Sequence, residues 1–349
     1  MSAADHSPTE RNIRSLPRRS LLVGAGLTAT IAGGMILGAP LIKQMTSERA
    51  KVFIARNQKY DGPLAKTIED GLKATGLDFA ALAGKKVLLK PNMVEPVKSA
   101  PHMTTHPAMV IAAAEVFLKA GAQVVVGEGP GHLRDTQHAL EESGIGPALR
   151  SEKLTFGDLN YQEVKFLPNK GKASKLDGFY FPKDVVEADL IVSMPKMKTH
   201  HWVGVTLSMK NLYGVIPGIK YGWPKNVLHH AGIPQTVFDI NASLPTAIAI
   251  VDAIECMEGD GPIMGTSKQM GLVVIGTTPA AVDATCCRLM HVEPSRIPYL
   301  HLAADRLGTI SDHRIDQEGE NWRPVSQPFQ ILDVPHLRNL RIDKGVLVS

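Results

Sequence analysis

Short apolar runs alternate with stretches of helical periodicity over most of residues 50–310, and that alternation sets the expected architecture. Lys51 to Arg56 (KVFIAR) reads as a first strand, and Pro63 to Thr75 as a helix whose Leu64, Ile68 and Leu72 fall on one stripe. Gly84 then precedes KKVLLKPN, a second strand whose carboxyl end delivers Lys90 and Asn92 around Pro91. A helix begins at Pro107, with Val110, Ala114, Phe117 and Leu118 as its apolar stripe and Gly121 just past its end. Ala122 to Val126 is a buried strand running into Gly127-Glu128-Gly129-Pro130-Gly131. Strand, helix and strand with short connections imply a parallel pair joined by a right-handed crossover.

From Asp135 to Val185 the pattern loosens: Asp135 to Ser143 reads as helical, and Thr155 to Asn160 and Val164 to Leu167 as extended. Residues 135–187 are therefore expected to form a cap or insertion. Ala188 to Met194 is apolar on both faces and closed by Pro195, the signature of a buried strand. Lys196, Lys198 and His200 follow at alternate positions and share one face while the chain stays extended. Lys210 and Asn211 lie on a short predicted helix ending near Gly214. Tyr221 to Gly232 reads as a Gly/Pro/His-rich loop and Pro234 to Ala242 as a helix. Thr246 to Val251 is a strand ending on Asp252, Gly259 to Pro262 a tight turn, Gly271 to Ile275 a strand, and Pro279 to Met290 and Ile297 to Arg306 helices. His313 to Gln317 and Gln330 to Val334 read as closing edge strands within a tail spanning residues 311–349.

The resulting fold class is α/β: a mostly parallel, mixed-edge sheet flanked by helices in Rossmann-like layers, with an irregular insertion. A length of 349 residues, 44% apolar and 21% charged, is ordinary globular composition. The net charge of +4 is concentrated at the amino terminus, where residues 1–43 hold five Lys/Arg against Asp5 and Glu10. Removing that +3 leaves about +1 for the body, no field for nucleic acid. Arg18-Arg19-Ser20-Leu21-Leu22, followed by a Gly/Ala-rich run to Ile42, resembles a twin-arginine export signal. The expected location is the periplasm or the outer face of a bacterial cytoplasmic membrane, with the twin-arginine translocase as the partner during export. Residues 21–42 provide a membrane tether if the segment is not removed. Cys256, Cys286 and Cys287 have neither disulfide nor iron–sulfur spacing, so no iron–sulfur cluster is expected.

In open parallel α/β sheets, ligands bind at the carboxyl ends of the strands, where loops and helix amino termini meet. Polar residues gather at five such expected ends: Lys90 and Asn92; Glu128; Lys196, Lys198 and His200; Asp252; and Thr277-Thr278. Lysines and an asparagine aimed at a crevice favour a small anionic ligand, phosphate or carboxylate. Lys198 and Lys210 are the candidates to hold the anion. His200, Asp252 and Glu128 are candidates for proton transfer, and His200 and His229 for a metal ion. The sequence identifies no cofactor: a Walker lysine, an H-E-x-x-H and a G-x-G-x-x-G are all missing beyond the export segment.

The segments KPN at 90–92, THP at 105–107, PKMKTH at 195–200, MKNLYGVIPG at 209–218, IVDAI at 250–254, GDGP at 259–262 and PAAVDA at 279–284 resemble the domain-of-unknown-function 362 family over residues 50–310. The resemblance implies an α/β fold and no settled activity. Many relatives carry ferredoxin-like four-cysteine runs that this chain lacks. Carried over by position, the family's polar pattern falls on Lys90, Asn92, Lys198, His200, Lys210, Asn211, Lys220, His229, Asp252 and Asp283, which adds Asn211, Lys220 and Asp283 to the candidate ligand-binding residues. The expectation is an exported enzyme, with oxidoreductase as the preferred class. The alternative is a non-catalytic periplasmic binding or cofactor/metal maturation protein.

Overall fold

Pro195 splits one long run of chain into two strands, and the sheet is built around that break. The computed structural model describes residues 49–131 and 134–342, so the expected export segment at 1–43 lies outside the described residues. In chain order the described strands are β1 (Ala50–Ala55), β2 (Lys86–Pro91), β3 (Gln123–Glu128), β4 (Thr155–Asp158), β5 (Val164–Pro168), β6 (Gly178–Pro182), β7 (Leu190–Met194), β8 (Lys196–His200), β9 (Gly204–Thr206), β10 (Ala247–Glu258), β11 (Thr266–Gly276) and β12 (Ile315–Gly319). The main sheet runs β12-β1-β11-β10-β7-β2-β3-β4. β7 pairs with the start of β10 at Ala247–Ala249; beyond Pro195, β8 takes over as its neighbour, with Asp252 opposite Lys196. The Pro195 carbonyl still accepts from Asp252 N at 2.9 Å, so the ladder bends around the proline without being lost.

The mixed, mostly parallel α/β sheet follows from the connections. β2, β3, β4, β7 and the first part of β10 are parallel to their neighbours, and the β2–helix–β3 crossover is the parallel pair expected from the sequence. Strand side chains alternate between two cores with period two. Val87, Leu89, Ile248 and Ile250 join helices Leu64–Ala74 and Pro107–Lys119 on one face; Leu88, Ile191, Ala249 and Val251 join helices Ile233–Ser243 and Pro279–Leu289 on the other. Helix Pro107–Lys119 begins where its proline predicts, and the His106 ring accepts from Ala108 N at 3.1 Å to cap it.

Three expectations are corrected or refined. β11 runs antiparallel to β10, with Gly276 opposite Ala249, so Thr277 and Thr278 fall at the edge opposite the other polar strand ends; Thr278 instead precedes helix Pro279–Leu289. Gln330 to Val334 forms no strand: its first residue is pinned to the β10 end by Gly259 N→Gln330 O and Gln330 N→Glu258 Oε2, both 2.9 Å. The segment 135–187, expected as a cap or insertion, contributes edge strand β4 to the main sheet and the separate β5–β6 hairpin. The carboxyl-terminal edge strand falls at β12, parallel to β1. Among the described residues no helix is long and apolar enough to cross a membrane.

Candidate functional site

At the carboxyl edge of the sheet, the ends of β2 and β3, the β8–β9 turn, the helix Ser208–Asn211 and the segment 222–229 enclose a cavity of about 120 Å³. Its wall includes Asn92, Glu128, His200, Thr206, Lys210, Asn211, Lys225 and His229. Six of the sequence candidates line it together: Asn92, Glu128, His200, Lys210, Asn211 and His229. Lys90 stands directly behind the wall, bonded to two of them.

Asn211 is the hub. Its Nδ2 donates to Lys90 O at 3.0 Å and Ser193 Oγ at 3.1 Å, and its Oδ1 accepts from Lys90 Nζ and Asn92 Nδ2, both at 3.1 Å. With two acceptors facing one end of the amide and two donors the other, the orientation of Asn211 is determined by its neighbours. Lys90 Nζ also reaches Glu128 Oε1 at 2.5 Å and Pro91 O at 2.6 Å. This ion pair is buried, and Gly214 lies against it so closely that a Cβ there would collide with both side chains.

Among the described residues, lysine amines outnumber carboxylates around the cavity. Lys198 Nζ donates to Met103 O at 2.8 Å and Pro262 O at 3.2 Å, and Lys225 Nζ to Gly129 O at 2.8 Å, Tyr213 O at 3.4 Å and Gly214 O at 3.5 Å. Lys210 Nζ makes no hydrogen bond among the described residues and sits 4.3 Å from the centre of the Tyr213 ring, a cation–π contact. Burial holds Lys198 well below the ordinary lysine range, helped by the charges of Lys196, Lys210 and Lys90. Burial, with the Lys90 charge, brings Lys210 down to about 8, and burial brings Lys225 to about 7. Among the described residues Glu128 is the one carboxylate in this wall, and Lys90 already occupies its Oε1.

His200 is buried, and that burial, with the Lys210 charge, holds its pKa well below the ordinary imidazole value, so the ring is neutral at pH 7. Its Nδ1 accepts from Trp202 N at 3.1 Å, which leaves the proton on Nε2. The neutral ring is therefore a hydrogen-bond donor towards a ligand rather than a ready base. His229 packs its ring edge-on to Trp202 and stacks with Tyr213, with centroids 5.2 and 6.0 Å away. Among the described residues no group of three or more His, Cys, Asp or Glu side chains is placed to hold a metal ion, so His200 and His229 are two cavity imidazoles without a third such ligand.

Four candidates sit elsewhere. Asp252 is buried outside the cavity: its carboxylate accepts from Lys196 Nζ at 2.7 Å, Tyr60 OH at 3.0 Å, His106 N at 2.9 Å and Ile254 N at 3.3 Å, which leaves little capacity to move a substrate proton. Asp283 is a core residue that accepts from Ser208 N at 2.7 Å, Met209 N at 3.0 Å and Ser208 Oγ; it anchors the start of the helix carrying Lys210 and Asn211. Lys220 is exposed over the Tyr180 ring, 4.8 Å from its centre. Lys198 is spent on the main-chain carbonyls of Met103 and Pro262 and does not line the cavity. Sequence reading missed Lys225, Thr206, Trp202 and Tyr213. Only Lys225 carried a local signal, a lysine embedded in Gly222-Trp223-Pro224-Lys225-Asn226, where it takes a left-handed φ of 69°.

A protein with comparable sequence is a thylakoid-associated protein of Synechocystis sp. (strain ATCC 27184 / PCC 6803 / Kazusa), 26% identical over 261 residues that cover 74% of this chain and 79% of the relative. Among solved structures, the lactate racemase apoprotein from Thermoanaerobacterium thermosaccharolyticum is similar at a TM-score of 0.41 and 14% identity, over 71% of this chain and 59% of that structure's length. The family model described as Domain of unknown function (DUF362) matches residues 87–288, a span that holds the whole Lys90–Glu128–Asn211 hub and the cavity around it. The chain belongs to the DUF362 family.

Proposed function

We propose that this chain is an exported enzyme that binds a small anionic substrate in the cavity at the carboxyl edge of its sheet. The observation that carries the reading is an excess of lysine amines over carboxylates: among the described residues Lys210 and Lys225 line the wall and Lys90 and Lys198 stand behind it, against one wall carboxylate, Glu128, that is already paired with Lys90. Clustered cations in a low-dielectric site repel one another, and an anion relieves that cost. Lys210 Nζ, without a hydrogen-bond acceptor among the described residues, is the anchor for the anion, and His200 Nε2–H is a second donor. Glu128 Oε2, which has no hydrogen-bond partner among the described residues, is the oxygen suited to accept a substrate proton.

The export assignment is supported by the twin-arginine pattern and is compatible with a relative named for a membrane association. The oxidoreductase class rests on that export route and on redox-linked relatives, not on a group in the cavity. Titration calorimetry with inorganic phosphate and small carboxylates tests the central reading. Binding to the parent that is lost in Lys210→Met supports it; a parent that binds none of these anions, or a Lys210→Met variant that binds them equally, overturns it. Exposed apolar side chains near the rim, Trp202 at 51% and Met264 at 76%, favour a second reading in which the protein carries its ligand to a partner without turning it over. Turnover of a bound anion by purified protein separates the two.

A further inference from the structure

We propose that the anion carries a hydroxyl group beside its charged end, so that the ligand class of this cavity is the small hydroxy acid; this rests on the anionic reading above. Among the described residues, three buried polar atoms of the cavity wall have no hydrogen-bond partner: Asn92 Oδ1, Glu128 Oε2 and Thr206 Oγ1. Buried acceptors nearly always find donors, and leaving one unmet costs about 1–3 kcal/mol, so the two acceptors Asn92 Oδ1 and Glu128 Oε2, with the Thr206 hydroxyl able to donate or accept, mark the place of a group that can donate to one of them and accept in turn.

The orientation of Asn92 is determined by the hub. Asn211 Nδ2 is committed to Lys90 O and Ser193 Oγ, so Asn211 Oδ1 must receive Asn92 Nδ2, and the Asn92 carbonyl is left as the unmet end. Glu128 is tied to the same node through Lys90, which bonds both Glu128 Oε1 and Asn211 Oδ1. The cavity wall therefore offers both acceptors, Asn92 Oδ1 and Glu128 Oε2, and donors, Lys210 Nζ and His200 Nε2–H. A carboxylate without a hydroxyl would satisfy the donors and leave Asn92 Oδ1 and Glu128 Oε2 unmet.

An ammonium group could also donate, but it would add positive charge beside Lys90, Lys210 and Lys225. A hydroxyl supplies the donor without the charge, and with its oxygen it accepts from Thr206. The cavity of about 120 Å³ suits a ligand of a few heavy atoms.

The test is calorimetry on the full chain at pH 7 with three probes of matched size: acetate, glycolate and glycine. Glycolate is expected to bind at least about tenfold more tightly than acetate, the factor that corresponds to satisfying one buried acceptor, and more tightly than glycine. The glycolate-to-acetate ratio is expected to collapse towards one in Asn92→Leu. Thr206→Val, a nearly isosteric change outside the hub, is expected to lower the ratio severalfold and serves if Asn92→Leu does not fold. Equal binding of glycolate and acetate, with both lost in Lys210→Met, overturns the hydroxy-acid class and leaves the anionic reading standing. Tighter binding of glycine overturns the choice of hydroxyl over ammonium. Binding of none of the three overturns the inference, and binding of phosphate in their place shows that the anionic reading survives without it.

Discussion

Lys90 and Glu128 meet at 2.5 Å, Nζ to Oε1, with side chains 0% and 4% exposed, and Gly214 closes over the pair. The pair joins the ends of β2 and β3 and, through Asn211, locks both to the helix that carries Lys210. Removing one partner strands a charge in a dry environment, at a cost of about 3–5 kcal/mol. Glu128→Leu and Lys90→Met should each lose stability on that scale in urea titrations, while the double variant recovers much of it. Additive losses in the double variant would show that the pair is not the unit that matters.

Asp252 is expected to behave as a structural residue. Asp252→Asn leaves Lys196 buried without its counter-charge and should cost about 3–5 kcal/mol in stability. Tyr60→Phe, which removes one hydroxyl from the same cluster, should cost about 1 kcal/mol. Neither substitution touches the cavity wall, so the dissociation constant for a bound anion should stay within about twofold of the parent's, as for separated sites. A large affinity loss in the folded Tyr60→Phe variant would return the Asp252 cluster to the active site.

Burial lifts the Asp283 carboxyl to about 7 against the hydrogen bonds from Ser208 and Met209 that pull it down, whereas in the unfolded chain it ionises near its ordinary 3.8. Between those values the folded protein holds a proton that the unfolded chain has released. The contribution of Asp283 to stability is therefore fully present below about pH 4, falls as pH rises towards about 7 and is level above it. Denaturation midpoints of the parent and Asp283→Asn across pH 4 to 8 check this: the parent's curve should decline more steeply. Parallel curves would contradict the raised value.

Lys210 should impose the opposite kind of limit on ligand binding. An anion prefers the charged amine, whose pKa in the free protein is about 8. Affinity should be flat below about pH 7, weaken as Lys225 loses its proton near that pH, and fall further, by up to about tenfold per unit for the Lys210 step, above about pH 8, with proton uptake on binding near those values. Calorimetry in buffers of different ionisation enthalpy reads the proton directly. Lys210→Arg should move the Lys210 step out of the accessible range, since arginine stays charged.

The sheet was legible because buried parallel strands are written as unbroken apolar runs, such as residues 188–194, between helices with clear stripes and proline starts. Strand direction was not: β11 has the same apolar signature as its parallel neighbours, so Thr277-Thr278 appeared to share an edge that antiparallel pairing denies them. The site was legible where chemistry sits at strand ends, as with Asn92, Glu128 and His200. Asp252 misled because a carboxylate at a strand end looks the same whether it faces a cavity or is consumed by Lys196 and Tyr60. Lys225 and Thr206 escaped because their place depends on how distant segments fold over the sheet edge, which local periodicity does not encode.

The most direct measurement is a crystal structure of the protein soaked with glycolate. The account predicts the carboxylate within hydrogen-bond distance of Lys210 Nζ and His200 Nε2, with the hydroxyl donating to Asn92 Oδ1 or Glu128 Oε2. An anion bound instead at the Lys196–Asp252 cluster, or a cavity that stays free of it at saturating concentration, would contradict the account.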